Sequence, residues 1–162
     1  MFVQNSFFQQ NQNIACYASR DGEFDCTPII KQIWHAQKNC YLPALSATQE
    51  CSLEFNRYLR NDSVRLNKYK ILESENTEII LAEQLDIVLV PLVAFDSQGN
   101  RLGMGAGYYD RTFAFLLKKS VKKPFLLGVA FECQQHESLP SDVWDVPLDA
   151  ILTEERLSFF KH

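Results

Sequence analysis

The chain has 162 residues, of which 46% are hydrophobic and 22% charged, a composition that excludes a disordered or repeat protein. This length favours one domain over residues 1–162 that buries about two-thirds of its unfolded surface, with residues 1–13, which carry no charge, as a frayed arm or interface segment. A formal net charge of −4 predicts no general attraction to nucleic acids or membranes, so neither is expected as a partner.

Cysteine usage and the N-terminus both indicate a cytoplasmic protein. The five cysteines include no C-x-x-C pair and no zinc-finger histidine spacing, which favours free thiols in a reducing compartment. The first residues lack the basic and apolar regions of a signal peptide. We expect a monomer or a weak homo-oligomer.

The first part of the chain predicts two strands around one helix. Ile14–Ala18 is typical of a short buried strand. A Thr-Pro pair precedes an apolar stripe at helical spacing, which predicts a helix from Thr27 to about Lys38. A second strand, Cys40–Leu42, is expected to end at Pro43, because proline cannot donate a hydrogen bond to a ladder.

The middle and the end of the chain continue this alternation. Leu53–Leu59 and the region around Leu66 alternate weakly and suggest an antiparallel excursion, and Glu78–Leu85 is compatible with a helix. A helix is predicted after Gly107, and Glu154–Phe160 is predicted as a terminal helical turn. Three apolar strands are predicted in this part: Asp86–Pro91, Phe125–Ala130 and Ala150–Leu152.

Strands that alternate with helices at this spacing predict an α/β fold. We expect a three-layer α/β/α arrangement with a mostly parallel, Rossmann-like sheet. Ligands of such folds bind at the carboxyl ends of the strands. The glycine-rich stretch that follows Asp86–Pro91 is expected at such an end.

Three of the six glycines, Gly103, Gly105 and Gly107, fall within five residues between a predicted strand and a predicted helix. Glycine lets consecutive backbone amides point at a phosphate without a Cβ in the way. The spacing matches neither G-x-G-x-x-G nor the P-loop, so a purely structural turn is the alternative.

The residues that flank the glycines favour phosphate and metal binding. Arg101 and Arg111 can bind phosphate oxygens, and Asp110 can hold a hard cation. Asp145 or Asp149 could supply the second carboxylate that magnesium needs, although helix capping or solvation is the alternative for both. The scattered histidines form no Ser-His-Asp or Cys-His arrangement, which disfavours covalent catalysis.

Two stretches, Val90–Asp96 and Gly99–Arg111, together resemble the signature of the 5-formyltetrahydrofolate cyclo-ligases, also called methenyltetrahydrofolate synthetases. The similarity reaches back to Glu23 and the helix at Thr27 to Gln37, so it covers most of the chain from about Ile14. It continues through Gly128–Phe131 with Gln134 or Gln135, Leu139-Pro140 and Asp145–Asp149. The resemblance implies an enzyme that converts 5-formyltetrahydrofolate to 5,10-methenyltetrahydrofolate with ATP and Mg²⁺ and releases ADP and phosphate. The small-molecule partners would be a reduced folate and ATP.

The resemblance also implies roles for individual residues. Asp110 and Asp145 match the magnesium ligands, Glu23 matches the carboxylate that hydrogen-bonds the pterin, and Arg101 is the expected catalytic residue. Ala18 falls at an apolar pterin-contacting position that usually holds a larger residue. The matching ATP-binding segment is Arg101, Leu102, Gly103, Met104, Gly105, Ala106, Gly107, Tyr108 and Tyr109, and its part from Met104 to Tyr108 also matches the folate contacts.

The sequence departs from the family pattern at its start. Family members usually begin with a long helix whose basic patch reaches the ATP phosphates, whereas no basic residue precedes Arg20 here. This departure keeps open a diverged folate- or nucleotide-binding protein without turnover. A phosphosugar-binding or isomerase-like relative on a similar sheet is a third hypothesis, which needs no ATP.

Overall fold

The computed structural model describes residues 2–20, 22–48, 50–118, 120–121 and 123–161. The α-helices are α1 (Ser6–Gln10), α2 (Thr27–His35) and α3 (Tyr108–Phe113). The strands are β1 (Asn13–Ala15), β2 (Asn39–Leu45), β3 (Leu53–Arg57), β4 (Val64–Leu66), β5 (Leu72–Ser74), β6 (Ile79–Ile80), β7 (Ile87–Pro91), β8 (Ala94–Phe95), β9 (Arg101–Leu102), β10 (Phe125–Val129), β11 (Ala150–Leu152) and β12 (Leu157–Phe159). Short 3₁₀ helices are Phe2–Gln4, Ala82–Gln84, Ala114–Leu117 and Glu132–Gln134.

An eight-stranded mixed sheet forms the centre of the fold, in the order β12-β11-β10-β7-β1-β2-β3-β6. The five strands from β11 to β2 pair in parallel, and the pairings at both edges are antiparallel. In β7 the continuous apolar run Ile87–Val90 is buried on both faces, as parallel strands between two layers require. The predicted α/β class is confirmed.

Two apolar clusters lie on opposite faces of this sheet. Alternate residues of β7 illustrate the division, because Leu89 belongs to one cluster and Val90 to the other. Helix α2 covers the first face with Ile29, Ile30 and Ile33, together with α1. Helix α3 covers the second face through Phe113, and the structure therefore has a layer on each side of the sheet.

Both ends of the chain differ from their predictions. Residues 2–10 form helical turns in which Phe2 and Phe8 are buried in the first cluster, so the expectation of a frayed arm is wrong. The helical turn predicted over Glu154–Phe160 is also wrong, because the chain reverses and β12 pairs antiparallel with β11. The Thr153 hydroxyl accepts the Arg156 N–H at 3.1 Å, which stabilises that reversal.

Pro43 lies within β2 and does not end it, which corrects the second-strand prediction. The Tyr41 carbonyl accepts the Cys16 N–H on the β1 side, and Pro43, two residues later, faces the same side after β1 has ended. Its missing N–H therefore costs no ladder bond.

The helix considered for Glu78–Leu85 is replaced by β6 and a 3₁₀ turn, since Ile79 and Ile80 pair with β3. The antiparallel excursion that was expected after Leu53 is present in β3. It continues in the β4–β5 hairpin, residues 64–74, which forms a separate two-stranded sheet. Across the residues that the structure describes, no helix has the length and apolar character needed to traverse a bilayer.

Candidate functional site

The glycine loop, residues 103–107, connects a β-hairpin to α3. This β8–β9 hairpin follows β7 and is held by Asp96, a fully buried carboxylate. Asp96 accepts hydrogen bonds of 2.9–3.0 Å from the backbone and side chain of Asn100 and from the N–H groups of Gln98 and Leu139. Burial alone raises the pKa of Asp96, but these bonds, led by that of the Asn100 side chain, bring it below its usual value. The stem of the glycine loop is therefore rigidly supported.

A contact of α3 places the loop near the carboxyl end of β2. The Thr112 hydroxyl accepts the Leu53 N–H at 2.9 Å, and Leu53 pairs with Leu45, the last residue of β2. The loop itself is open: Met104 is 77% exposed, and a Cβ at Gly103 would meet nothing within 4 Å. A ligand can therefore approach the backbone of the loop closely.

Gly107 ends the loop in a conformation that favours glycine. Its φ is +64°, and it is the N-cap of α3. The Arg111 side chain folds back over it and donates a 2.6 Å hydrogen bond to the Ala106 carbonyl. A Cβ at Gly107 would lie 2.9 Å from Arg111 Nη1. Arg111 therefore lies at the loop, as a phosphate-binding arginine requires. The helix predicted after Gly107 is present as the six-residue α3.

Arg101 and Asp110, predicted for different roles, form an ion pair. Arg101 Nη2 lies 2.6 Å from Asp110 Oδ1, and the Arg101 side chain is only 6% exposed. Arg101 Nη1 donates to the Val146 carbonyl, and the Val146 N–H donates to Asp110 Oδ1 at 3.1 Å. These three contacts tie β9, α3 and the segment before β11 together at the base of the loop.

The same contacts distinguish between Asp145 and Asp149, the two candidates for a second metal ligand. Asp145 directly precedes Val146, whose N–H bonds Asp110, so the backbone of Asp145 lies near Asp110; the Asp145 Oδ2 accepts the Asp142 N–H at 2.8 Å. Asp149 instead accepts the Leu126 N–H at 2.7 Å, near the amino end of β10. The geometry favours Asp145, although no group of three or more His, Cys, Asp or Glu suited to a metal occurs among the residues with described positions.

Glu23 lies close to two tyrosines, the buried Tyr17 and the partly buried Tyr109. Burial raises the pKa of Tyr109 far above its ordinary value, and the Glu23 carboxylate raises it further, whereas Arg101 lowers it. Burial likewise raises the pKa of Tyr17, with additional effects of Cys26 and Glu23. Glu23 accepts the Arg20 N–H at 2.8 Å. The fold thus brings Glu23, Tyr109 and Arg101 into one electrostatic environment in which both tyrosines stay neutral.

Two cavities flank this environment. The first, of about 150 Å³, is largely apolar and is bordered by Ala18, Tyr17 and Trp34. The second, of about 250 Å³, is bordered by Tyr108, Tyr69 and Lys68. The two tyrosine hydroxyls lie 3.1 Å apart, and this hydrogen bond raises the pKa of Tyr108 to about 12.

Sequence reasoning missed several residues that support the site. Asp96 was identified only as part of the family motif and not as a supporting residue. An Asp before a Gly-Asn turn is nevertheless a recognisable signal for a side chain that caps its own turn. Gln134 donates 2.9 Å hydrogen bonds to the carbonyls of Leu92 and Val93. The sequence indicated Gln134 or Gln135 only through the family resemblance and did not predict this contact. Tyr69 and Glu73 come from the hairpin of residues 64–74, whose place beside the glycine loop depends on tertiary structure.

Comparison with known proteins connects this site to one family. The family model described as the 5-formyltetrahydrofolate cyclo-ligase family matches residues 2–154. A protein of Haemophilus influenzae named 5-formyltetrahydrofolate cyclo-ligase is 45% identical over 147 residues, which cover 89% of this chain and 76% of the relative. The protein of that name from Escherichia coli is 39% identical over 146 residues, covering 89% and 79%.

Solved structures agree with the sequence relatives. The NMR structure of the Aquifex aeolicus 5,10-methenyltetrahydrofolate synthetase superposes with a TM-score of 0.81 at 30% identity, over 99% of this chain and 78% of that one. The Mycoplasma pneumoniae 5,10-methenyltetrahydrofolate synthetase gives a TM-score of 0.63 at 25% identity, over 87% and 72%. Fold, motifs and relatives agree: the chain belongs to the 5-formyltetrahydrofolate cyclo-ligase family, and its predicted enzyme class is confirmed.

Proposed function

We propose that this protein converts 5-formyltetrahydrofolate to 5,10-methenyltetrahydrofolate with ATP and Mg²⁺ and releases ADP and phosphate. The observation that carries the proposal is the Arg101–Asp110 pair beneath an open glycine loop in a chain of this family. In the reaction, the formyl oxygen attacks the γ-phosphorus, and the bond to the β-phosphate oxygen breaks. N10 then attacks the activated formyl carbon, loses its proton, and phosphate leaves with the former formyl oxygen.

The glycine loop is the proposed ATP site, over Arg101 to Tyr109. Its backbone is accessible at Gly103, and Arg111 supplies a positive charge beside Gly107. Phosphoryl transfer to an amide-type oxygen needs alignment and charge neutralisation more than a protein nucleophile. Arg101 can reach a phosphate directly if its Nη1 group turns from the Val146 carbonyl toward the loop.

Asp110 and Asp145 are the proposed magnesium ligands. Mg²⁺ commonly uses one or two carboxylates and completes its shell with water and phosphate oxygens, and this donor set fits that chemistry. The hydrogen bonds from Arg101 and Val146 both go to Oδ1 of Asp110, so these two bonds leave Oδ2 available to bind the ion. When bound, the ion would neutralise charge on the transferred phosphoryl group.

The reduced folate is proposed to lie between Glu23 and the second cavity. Glu23 can accept hydrogen bonds from the pterin N–H groups, and the small Ala18 side chain leaves room in the first cavity. Met104 to Tyr108 are expected to contact the folate, and Tyr108 of this segment lines the second cavity. Neutral Tyr109 adds no negative charge near the phosphates.

Several broader features remain part of the proposal. We infer a cytoplasmic location, which is supported by five cysteines that are all free thiols. A single domain and a monomer or weak homo-oligomer are also proposed, with a reduced folate and ATP as partners and no nucleic acid or membrane.

The direct test is the absorbance of methenyltetrahydrofolate after protein, ATP, Mg²⁺ and 5-formyltetrahydrofolate are mixed. We expect product only in the complete mixture, with none when ATP or Mg²⁺ is omitted. No product at high protein concentration would refute the proposed activity, and thermal stabilisation by folate without ADP release would then favour a binding protein.

A further inference from the structure

The β4–β5 hairpin borders both cavities and lies outside the main sheet. Val64 and Leu72 line the first cavity, and Lys68 and Tyr69 line the second. Apolar burial holds this hairpin only weakly, since Leu66 is 63% exposed, Val64 and Leu72 are also exposed, and Ile71 is only partly buried. Segments with so few buried apolar contacts open readily unless polar contacts hold them.

The end of this hairpin is buried: Ser74 is 1% exposed, and its hydroxyl donates to the Arg57 carbonyl of β3 at 2.7 Å. Glu73 is the buried charged residue of the hairpin. It is only 3% exposed, and its Oε1 accepts the Leu45 N–H at 2.8 Å and the Asn67 Nδ2 at 2.9 Å. Leu45 is the last residue of β2, so the first bond ties the hairpin to the main sheet. The Arg65 guanidinium lies farther from the carboxylate, at 3.7 Å, and is largely exposed.

The second bond of Glu73 orders the turn that carries Tyr69. Asn67 Oδ1 accepts the N–H groups of Tyr69 at 2.9 Å and Ile71 at 3.1 Å. Tyr69 in turn pairs with Tyr108 next to the glycine loop. A continuous chain of hydrogen bonds therefore runs from β2 through Glu73, Asn67 and Tyr69 to the loop.

We propose that Glu73 is a positioning residue that holds the hairpin of residues 64–74 as the shared wall of both cavities and sets Tyr69 against Tyr108. The proposal rests on the proposed function, because it takes the folate to be the molecule that contacts this wall. Loss of the Glu73 carboxylate leaves the glycine loop supported by Asp96 and Arg101 and leaves the Ser74–Arg57 bond in place. It removes the tie to Leu45 and frees the turn that carries Tyr69. Folate binding therefore weakens more than ATP binding.

The test compares Glu73→Ala with the exposed neighbour Glu75→Ala as a matched control. For Glu73→Ala we expect the KM for 5-formyltetrahydrofolate to rise about tenfold, the amount that corresponds to one lost buried hydrogen bond, with the KM for ATP within about twofold. Glu73→Gln keeps Oε1 for both donors and should restore a KM within about threefold of the wild type. Glu75→Ala should match the wild type.

Hydrogen exchange tests the same inference without activity. The Tyr69 and Ile71 amides should exchange at least about tenfold faster in Glu73→Ala, and Asn67→Ala, which keeps the Leu45 bond, should show the same loss of protection. Unchanged exchange at these amides, or equal rises in the KM for folate and for ATP, would overturn the proposal. If the wild type has no cyclo-ligase activity, the proposed function fails while the exchange result still decides the role of Glu73.

Discussion

Replacing Arg101 with methionine should destabilise the protein because it leaves two acceptors at the base of the glycine loop without their donor. Methionine keeps the length and the apolar stem of the side chain but removes the contacts with Asp110 Oδ1 and the Val146 carbonyl. Hydrogen bonds that involve a charged group contribute about 1.5–3 kcal/mol each, and the Arg101 side chain is nearly buried, so we expect a loss of about 3 kcal/mol. For a chain of this size, that loss lowers Tm by about 6–12 °C.

A double-mutant cycle isolates the pair itself. Asp110→Asn keeps an Oδ1 acceptor for the Val146 N–H but no longer needs the arginine charge. The double variant should therefore be less destabilised than the sum of the single variants, with a coupling of about 1–3 kcal/mol. Urea denaturation of the four proteins measures this coupling. Additivity within about 0.5 kcal/mol would refute the reasoning that Arg101 and Asp110 stabilise each other.

Three further predictions concern the loop, the metal and the hairpin turn. Gly107→Ala forces alanine into a left-handed backbone and should lower the free energy of unfolding by about 1–2 kcal/mol. Gly103→Ala should leave that free energy within about 0.5 kcal/mol of the wild type and raise the KM for ATP. Equal Tm changes in the two variants would contradict this prediction. Asp110→Asn should reduce activity and raise the magnesium requirement, and an unchanged magnesium titration would remove Asp110 from the metal site. Asp96 has a lowered pKa in the folded protein, so its stabilising effect is present above its unfolded pKa of about 4 and is lost as pH falls through the folded pKa. The Tm difference between the wild type and Asp96→Asn should therefore shrink below that pH, and a difference that stays constant with pH would contradict the assignment.

The buried parallel strands were predictable because their apolar runs are long and continuous. Ile87–Val90 and the strand at Phe125 were identified on that basis, as was the helix that begins at Thr27. The pairing of Leu157–Phe159 with β11 was not predictable, because a short strand of mixed polarity is indistinguishable from a helical turn until its partner is known. The burial of Phe2 and Phe8 likewise depends on long-range packing.

The candidate site was likewise predictable only in part from the sequence. The glycine spacing and its charged flanks marked the loop, but the pairing of Arg101 with Asp110 depends on the turn that brings β9 back toward α3. The choice between Asp145 and Asp149 required the Val146 contact, since four residues of sequence separate two aspartates in similar local contexts. Glu73 was not predicted to support the site because a glutamate in an exposed hairpin is usually solvated.

The stoichiometry of ADP and methenyltetrahydrofolate tests the central claim most directly. The proposed reaction transfers one phosphoryl group for each ring closure, so ADP and product should appear in a ratio of one to one, and both should fall together when Asp110 is replaced by Asn. Formation of methenyltetrahydrofolate without ADP, or ADP release that does not depend on 5-formyltetrahydrofolate, would contradict the account.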